Sequence, residues 1–187
     1  MLSAPLLLIA GEIRVFVVEL LFVKTDGSTT SFFKLDPALV LNATEEAGFR
    51  PTGEFTQLNS YENRVFDIRL ESSSHNHAES RVIAKFYRPQ RWSRECILEE
   101  HQFLFDLQNE GIPVIAPHLL KDLSSHKNSS QMMSLLDFSG MQVAFFPKFM
   151  GRMPEEFLER DLYQVGRRLA QIHNIGARKN FLHRPRL

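Results

Sequence analysis

The chain has little cysteine and no surplus of either charge. Cys96 is the single cysteine among 187 residues, so neither an intramolecular disulfide nor a cysteine-built zinc site can form. That fits a reducing compartment. Lysine plus arginine and aspartate plus glutamate both number 22. No global basic excess is available to recruit nucleic acid or an anionic membrane. The one apolar run long enough to consider for a membrane, Pro5 to Val23, is interrupted by Glu12, Arg14 and Glu19. Charges near the centre of a span cost about 2.5–3.5 kcal/mol each on insertion scales, so no transmembrane helix and no membrane role are expected. No basic residue precedes the run and no small-x-small site follows Val23, which argues against a signal peptide. The run reads as a strand-like or poorly ordered extension.

What is present suits a packed core. Hydrophobic residues make up 43% and phenylalanine alone occurs 16 times, a composition opposed to disorder. The length fits one domain, or one domain and part of another.

The polar stretch Lys24 to Thr30 marks a boundary. Asp36-Pro37 opens a helix, with Asp36 as cap, Pro37 in the first turn and Gly48 at the end. Val40, Ala43 and Ala47 give it an apolar face. Val65 to Leu70 and Val82 to Tyr87 are strand-like and predict a β-hairpin around a long polar loop. Ser93 to Asn109 is the clearest helix, with Ser93 as cap and Gly111 beyond its end. Ile112 to Pro117 is an extended connector, because each proline disfavours helix in the residue before it. Leu119-Leu120 begins another strand, Lys121 to Gln131 is a polar loop, and Met141 to Phe146 is a strand stopped by Pro147. Glu159 to Asn174 forms a second strong helix with Leu162, Val165, Leu169 and Ile172 on one stripe. The order predicts an α+β fold: a small antiparallel sheet with a helix packed on it.

Two charges are out of place in this pattern. Lys85 lies inside the apolar run Arg81 to Tyr87, and burial of an unpaired charge is costly. Glu100 has Ile97, Leu104 and Leu107 at −3, +4 and +7, and so points along the apolar stripe of its helix. Opposite charges on two inward faces suggest a buried ion pair. Each also has an ordinary explanation. Lys85 fits a snorkelling lysine on an edge strand, and Glu100 a glutamate bordering the stripe. The stretch Leu58 to Val65 contains no glycine, but Asn59, Ser60 and Asn63 favour turns. By composition alone it is a polar turn.

Arg88, Arg91 and Arg94 surround Trp92, a cluster that suits an acidic partner or phosphate but equally a solvated loop. His75 and His77 with Asp67 suggest a metal site only faintly, since both histidines sit in a serine-rich loop. His101 reads as a partly buried helix histidine, and His173 as a complement to a helix dipole.

Several motifs, taken together and in order, resemble the bacterial stress response kinases of the choline kinase and aminoglycoside phosphotransferase-like group. They are Leu58 to Val65, Lys85-Phe86-Tyr87-Arg88-Pro89 with Arg91-Trp92, Ile97 to Phe103, Phe146-Pro147, Val165-Gly166-Arg167 and His183-Arg184-Pro185. The resemblance spans roughly Ser31 to Pro185. It implies a kinase-like N-terminal lobe over residues 31–147, then a hinge, a linker and the start of a helical C-terminal lobe over 148–187. Residues 1–30 have no counterpart and form an extension. It further implies that Ser60, Tyr61, Glu62 and Asn63 cover the nucleotide, that Lys85 contacts its α- and β-phosphates, and that Glu100 is the helix partner of Lys85. Phe145, Phe146, Pro147, Lys148 and Phe149 match the hinge beside adenine. ATP and Mg²⁺ are the implied cofactors, Ser/Thr in a protein the implied substrate, and the cytoplasm the implied location.

The resemblance stops short in one respect. The family's His-Gly-Asp catalytic loop and its magnesium-binding aspartate lie beyond His183-Arg184-Pro185, and no aspartate follows Asp161 among the 187 residues. No catalytic base and no Mg²⁺ ligand are therefore expected within the chain. The expectation is a truncated, inactive kinase that retains the nucleotide lobe, with self-association through exposed C-terminal-lobe surface. The alternatives are a non-catalytic module that binds a partner protein and an unrelated small α+β domain.

Overall fold

The computed structural model describes residues 7–9, 12–14, 35–71, 80–121, 132–151 and 156–184. Leu7–Ile9 (β1) and Glu12–Arg14 (β2) pair with each other in a separate two-stranded sheet. The expected loops around His75 and His77 and over 122–131 lie outside the described residues.

The chain divides into two compact units, the first holding Asp26–Leu98 and Pro117–Lys148, the second Glu99–Ala116 and Phe149–Leu187 with the N-terminal residues. The first unit is built on Pro37–Glu46 (α1), Pro51–Leu58 (β3), Arg64–Leu70 (β4), Arg81–Phe86 (β5), the start of Arg94–Asn109 (α2), Leu120–Lys121 (β6), Met132–Met133 (β7), Leu136–Phe138 (β8) and Met141–Pro147 (β9). Five of these strands form one sheet in the order β3-β4-β5-β9-β8, antiparallel at every pairing. The fold is α+β and is that of a kinase-like N-terminal lobe.

Alternation along the strands decides what each face carries. Phe66, Ile68 and Leu70 of β4, Val82, Ala84 and Phe86 of β5, and Val143 and Phe145 of β9 share one face and form the core with Val40 and Ala43 of α1. Phe66 stacks edge-on against Phe86 at 5.7 Å and against Phe55 at 5.9 Å. α1 begins as its sequence demands: the Asp36 carboxylate accepts the Ala38 N–H at 3.0 Å and Pro37 occupies the first turn. Thr44, fully buried in α1, is satisfied by donating to the Val40 carbonyl at 2.8 Å.

The opposite face of the sheet carries Val65 and Asp67 of β4, Ile83 and Lys85 of β5, and Ala144 and Phe146 of β9. Val65, Lys85 and Ala144 stand in one transverse row; Asp67, Ile83 and Phe146 stand in the next.

β3 lies at the sheet edge and had no counterpart in the sequence reading. β8 was likewise unforeseen. It joins β9 through Ser139 and Gly140, both at positive φ (49° and 75°), the two-residue turn whose twist matches a hairpin.

α2 begins as expected, with Ser93 Oγ accepting the Cys96 N–H at 3.2 Å. It ends at Gly111, where a φ of 75° lets the Gly111 and Ile112 N–H groups turn back to the Gln108 and Leu107 carbonyls, a closure that favours glycine. His101 is fully buried rather than partly so. In the second unit, Glu159–Gly176 (α3) has Ile172 and Ile175 buried, while Leu162 and Leu169 are 58% and 43% exposed. No helix among the described residues is long and apolar enough to cross a membrane.

Candidate functional site

Lys85 sits in the middle strand of the sheet, between Val65 of β4 and Ala144 of β9. An edge-strand lysine is thereby ruled out. It is half-buried, and its ammonium lies 4.4 Å from the centre of the Tyr87 ring, two residues along on the same face. A cation over an aromatic face is held electrostatically, which leaves the ammonium on the face away from the α1 core.

The turn before β4 is tied down by its own residues and by the segment after β5. Asn63 is buried, and its Oδ1 accepts the Arg88 N–H at 3.2 Å. The Glu62 carboxylate is gripped by the Arg91 guanidinium, itself 5.0 Å from the Trp92 ring. Ser60 is exposed and Tyr61, at the tip, is 90% exposed. Two clamps thus hold a turn that has no glycine. Two members of the basic cluster are held in ion pairs. Arg91 neutralises Glu62, and Arg94 is ion-paired with Asp137.

The segment after β9 is anchored from the same sheet face. Lys148 pairs with Asp67, whose other oxygen accepts Arg81 Nε at 2.7 Å. Arg81 also lies 3.4 Å from Glu54, which bonds Arg69 at 3.0 Å. Burial works against ionisation of Asp67, but the hydrogen bonds from Arg81 and Lys148 outweigh it and hold the carboxyl below its ordinary value. Phe145 faces the α1 core, its ring 5.3 Å from Phe49 and its carbonyl accepting the His118 N–H at 2.7 Å. Phe146 faces the Lys85 side, in register with Ile83. Pro147 pairs with Val82, and the boundary between the units falls between Lys148 and Phe149.

Glu100 belongs to the second unit. It is half-buried on α2, and its carboxylate is ion-paired with the Arg184 guanidinium. Neither this pair nor the Asp67 cluster is evident from the sequence alone. The charged residues were visible, but their partners lie 84, 81 and 14 positions apart.

Among the described residues no group of three His, Cys, Asp or Glu side chains is placed to hold a metal ion. Asp67, the described member of the faint histidine–aspartate set, is committed to Arg81 and Lys148. The described residues do not fit a magnesium site.

The family model for the phosphotransferase enzyme family matches residues 54–187. Stress response kinase A of Escherichia coli O157:H7 is 36% identical over 160 residues, covering 86% of this chain and 44% of its own length. The protein of that name from Salmonella choleraesuis is 36% identical over 155 residues, covering 83% of this chain and 42% of its own. Serine/threonine protein kinase RdoA of Salmonella typhimurium is 35% identical over the same length. The chain spans less than half the length of these relatives. A match over most of the chain, on a sheet with a lysine in its middle strand, makes it a member of the phosphotransferase enzyme family.

Proposed function

We propose that this chain forms the nucleotide-binding lobe of an ATP-dependent protein Ser/Thr phosphotransferase. The observation that carries the reading is Lys85, half-buried on the middle strand, on the sheet face that α1 leaves uncovered. A lysine there suits the α- and β-phosphates of ATP. The clamped turn Ser60 to Asn63 supplies a cover, and Phe145 to Phe149 supply the strand end beside adenine. Glu100 is the helix partner of Lys85 in this reading, Mg²⁺ accompanies ATP, and the cytoplasm is the site of action. In this reading residues 1–187 on their own bind nucleotide weakly and do not turn it over.

The test is equilibrium binding of ATP to the chain and to Lys85→Met. A charged hydrogen bond contributes about 1.5–3 kcal/mol, so the substitution should weaken binding about 10–100-fold. Equal affinity in the two proteins would end the nucleotide reading.

A second reading, a partner-binding module, draws on α3. Leu158, Leu162, Tyr163 and Leu169 are exposed large apolar side chains on or beside one helix, and contiguous apolar surface favours association. Sedimentation should show concentration-dependent self-association that Leu162→Glu with Leu169→Glu reduces. A monomer at all concentrations would remove self-association from the proposal.

A further inference from the structure

The residues that follow α3 retrace α2. Within the second unit, Glu99, Phe103, Asp106 and Glu110 recur at spacings of four, three and four, which puts them on one stripe of a helix. The segment 178–184 meets that stripe in reverse order. Arg178 lies 3.7 Å from Glu110, and Lys179 Nζ lies 2.7 Å from Asp106. The Phe181 ring stands edge-on to Phe103 with centroids 5.3 Å apart. Glu99 then accepts three consecutive backbone N–H groups, from Leu182 at 2.6 Å, His183 at 3.2 Å and Arg184 at 2.9 Å. The Arg184 side chain turns to the next carboxylate, Glu100.

The two ends of this zipper differ in strength. Arg178 and Glu110 are both more than half exposed, and exposed ion pairs contribute little. At the other end, successive N–H groups converging on one carboxylate make an anion nest. The Arg184 and Glu100 side chains are only 24% and 10% exposed, so water and salt screen their charge-assisted bond less.

We propose that residues 178–184 form a strap fixing the rotation of α2, and that Arg184 is a positioning residue for the Glu100 carboxylate. The second half rests on the reading of Glu100 as partner of the nucleotide-binding lysine. A carboxylate has two oxygens and about four acceptor directions. A guanidinium on Oε2 is therefore compatible with a further cation on the same group. Orienting the glutamate before nucleotide arrives removes an ordering cost from binding.

The experiment uses the full chain, Glu99→Ala, Arg184→Gln and Arg184→Lys, each checked for native helix content by circular dichroism. Two readouts need no nucleotide. Exchange of the Leu182, His183 and Arg184 amides should quicken about tenfold or more in Glu99→Ala as the nest opens. Relaxation of the Glu100 side-chain carbons should report new rotamer averaging in Arg184→Gln. The third readout is affinity for a non-hydrolysable ATP analogue, expected about fivefold weaker in Arg184→Gln and partly restored in Arg184→Lys, because lysine keeps the charge but not the planar fork. Unchanged amide exchange in Glu99→Ala would overturn the strap. An unchanged Glu100 side chain, or tighter nucleotide binding in Arg184→Gln, would overturn the positioning role, the latter by showing Arg184 to be a competitor. If the unaltered chain and Lys85→Met alike bind no analogue, the nucleotide reading fails by itself, and the first two readouts still decide the strap.

Discussion

Asp67→Ala should lower the stability of the chain by about 2–4 kcal/mol, the largest loss expected from any single surface-lining charge. Removing one partner of a fully buried pair costs roughly 3–5 kcal/mol, because the remaining charge is left without compensation. The Asp67 side chain is 7% exposed, but Arg81 and Lys148 each keep 26% of theirs in reach of water, which places the cost below that range. The substitution leaves two cations facing one another across the strand ends, with Glu54 compensating Arg81 alone. Asp67→Asn keeps the volume and should recover part of the loss. Denaturant unfolding checks both, and a change under about 0.5 kcal/mol, the scale of ordinary surface substitutions, would show that the cluster is ornamental.

The same cluster fixes a pH dependence. The folded-state pKa of Asp67 is depressed, with burial raising it and the bonds from Arg81 and Lys148 prevailing. A depressed carboxyl contributes stability that is fully present above its unfolded value, about 3.9, and is lost as pH falls through the folded value. Stability should therefore be flat from neutral pH down to about 5 and decline at lower pH. Asp67→Asn should flatten part of that decline. Glu99 and Asp106 are depressed as well, Glu99 by the Leu182 to Arg184 N–H groups acting against burial, Asp106 chiefly by Lys179. Both add to the same acid loss.

How much of this was legible in the sequence depends on the range of the interaction. Local chemistry was readable: the Asp36 cap, the Ser93 cap and the Gly111 end stand where the pattern put them. So were β4, β5 and β9, because alternation with one buried face is a strong signal. β3 gave none. Its residues Thr52, Gly53, Glu54, Thr56 and Gln57 are exposed on an edge strand, and its register shifts between Pro51 and Phe55. An edge strand with one solvated face and a bulge has little apolar period to detect. β8 spans only three residues. Of the site, Lys85 was visible as a charge in an apolar run. The ties that hold Glu62, Asp67, Lys148 and Glu100 were not, since each joins residues far apart in the chain. A residue's type shows that it needs a partner, while only the fold says which one it gets.

The final expectation concerns chemistry. A purified sample of residues 1–187 should transfer phosphate to protein at less than about a thousandth of the roughly 1–100 s⁻¹ typical of kinases. Phosphoryl transfer is achieved by positioning and by neutralising charge on the phosphates, and a general base alone is commonly worth about 10²–10⁴-fold. The sheet face can supply Lys85 and a strand end for the adenine. The described carboxylates on that face are already bound to cations, Asp67 to Arg81 and Lys148, Asp137 to Arg94, and Glu54 to Arg69 and Arg81. After Asp161 the sequence offers no further aspartate or glutamate, so no carboxylate there can accept the proton of a substrate hydroxyl. The assay is radiolabel transfer from ATP with Mg²⁺ to a mixed Ser/Thr substrate, run beside Lys85→Met. Signal shared by both proteins reports a contaminant. Turnover that disappears only in Lys85→Met would mean that a base within these residues has been misread, and it would direct attention to the carboxylates on α2, where Glu99 and Glu100 are held by the strap.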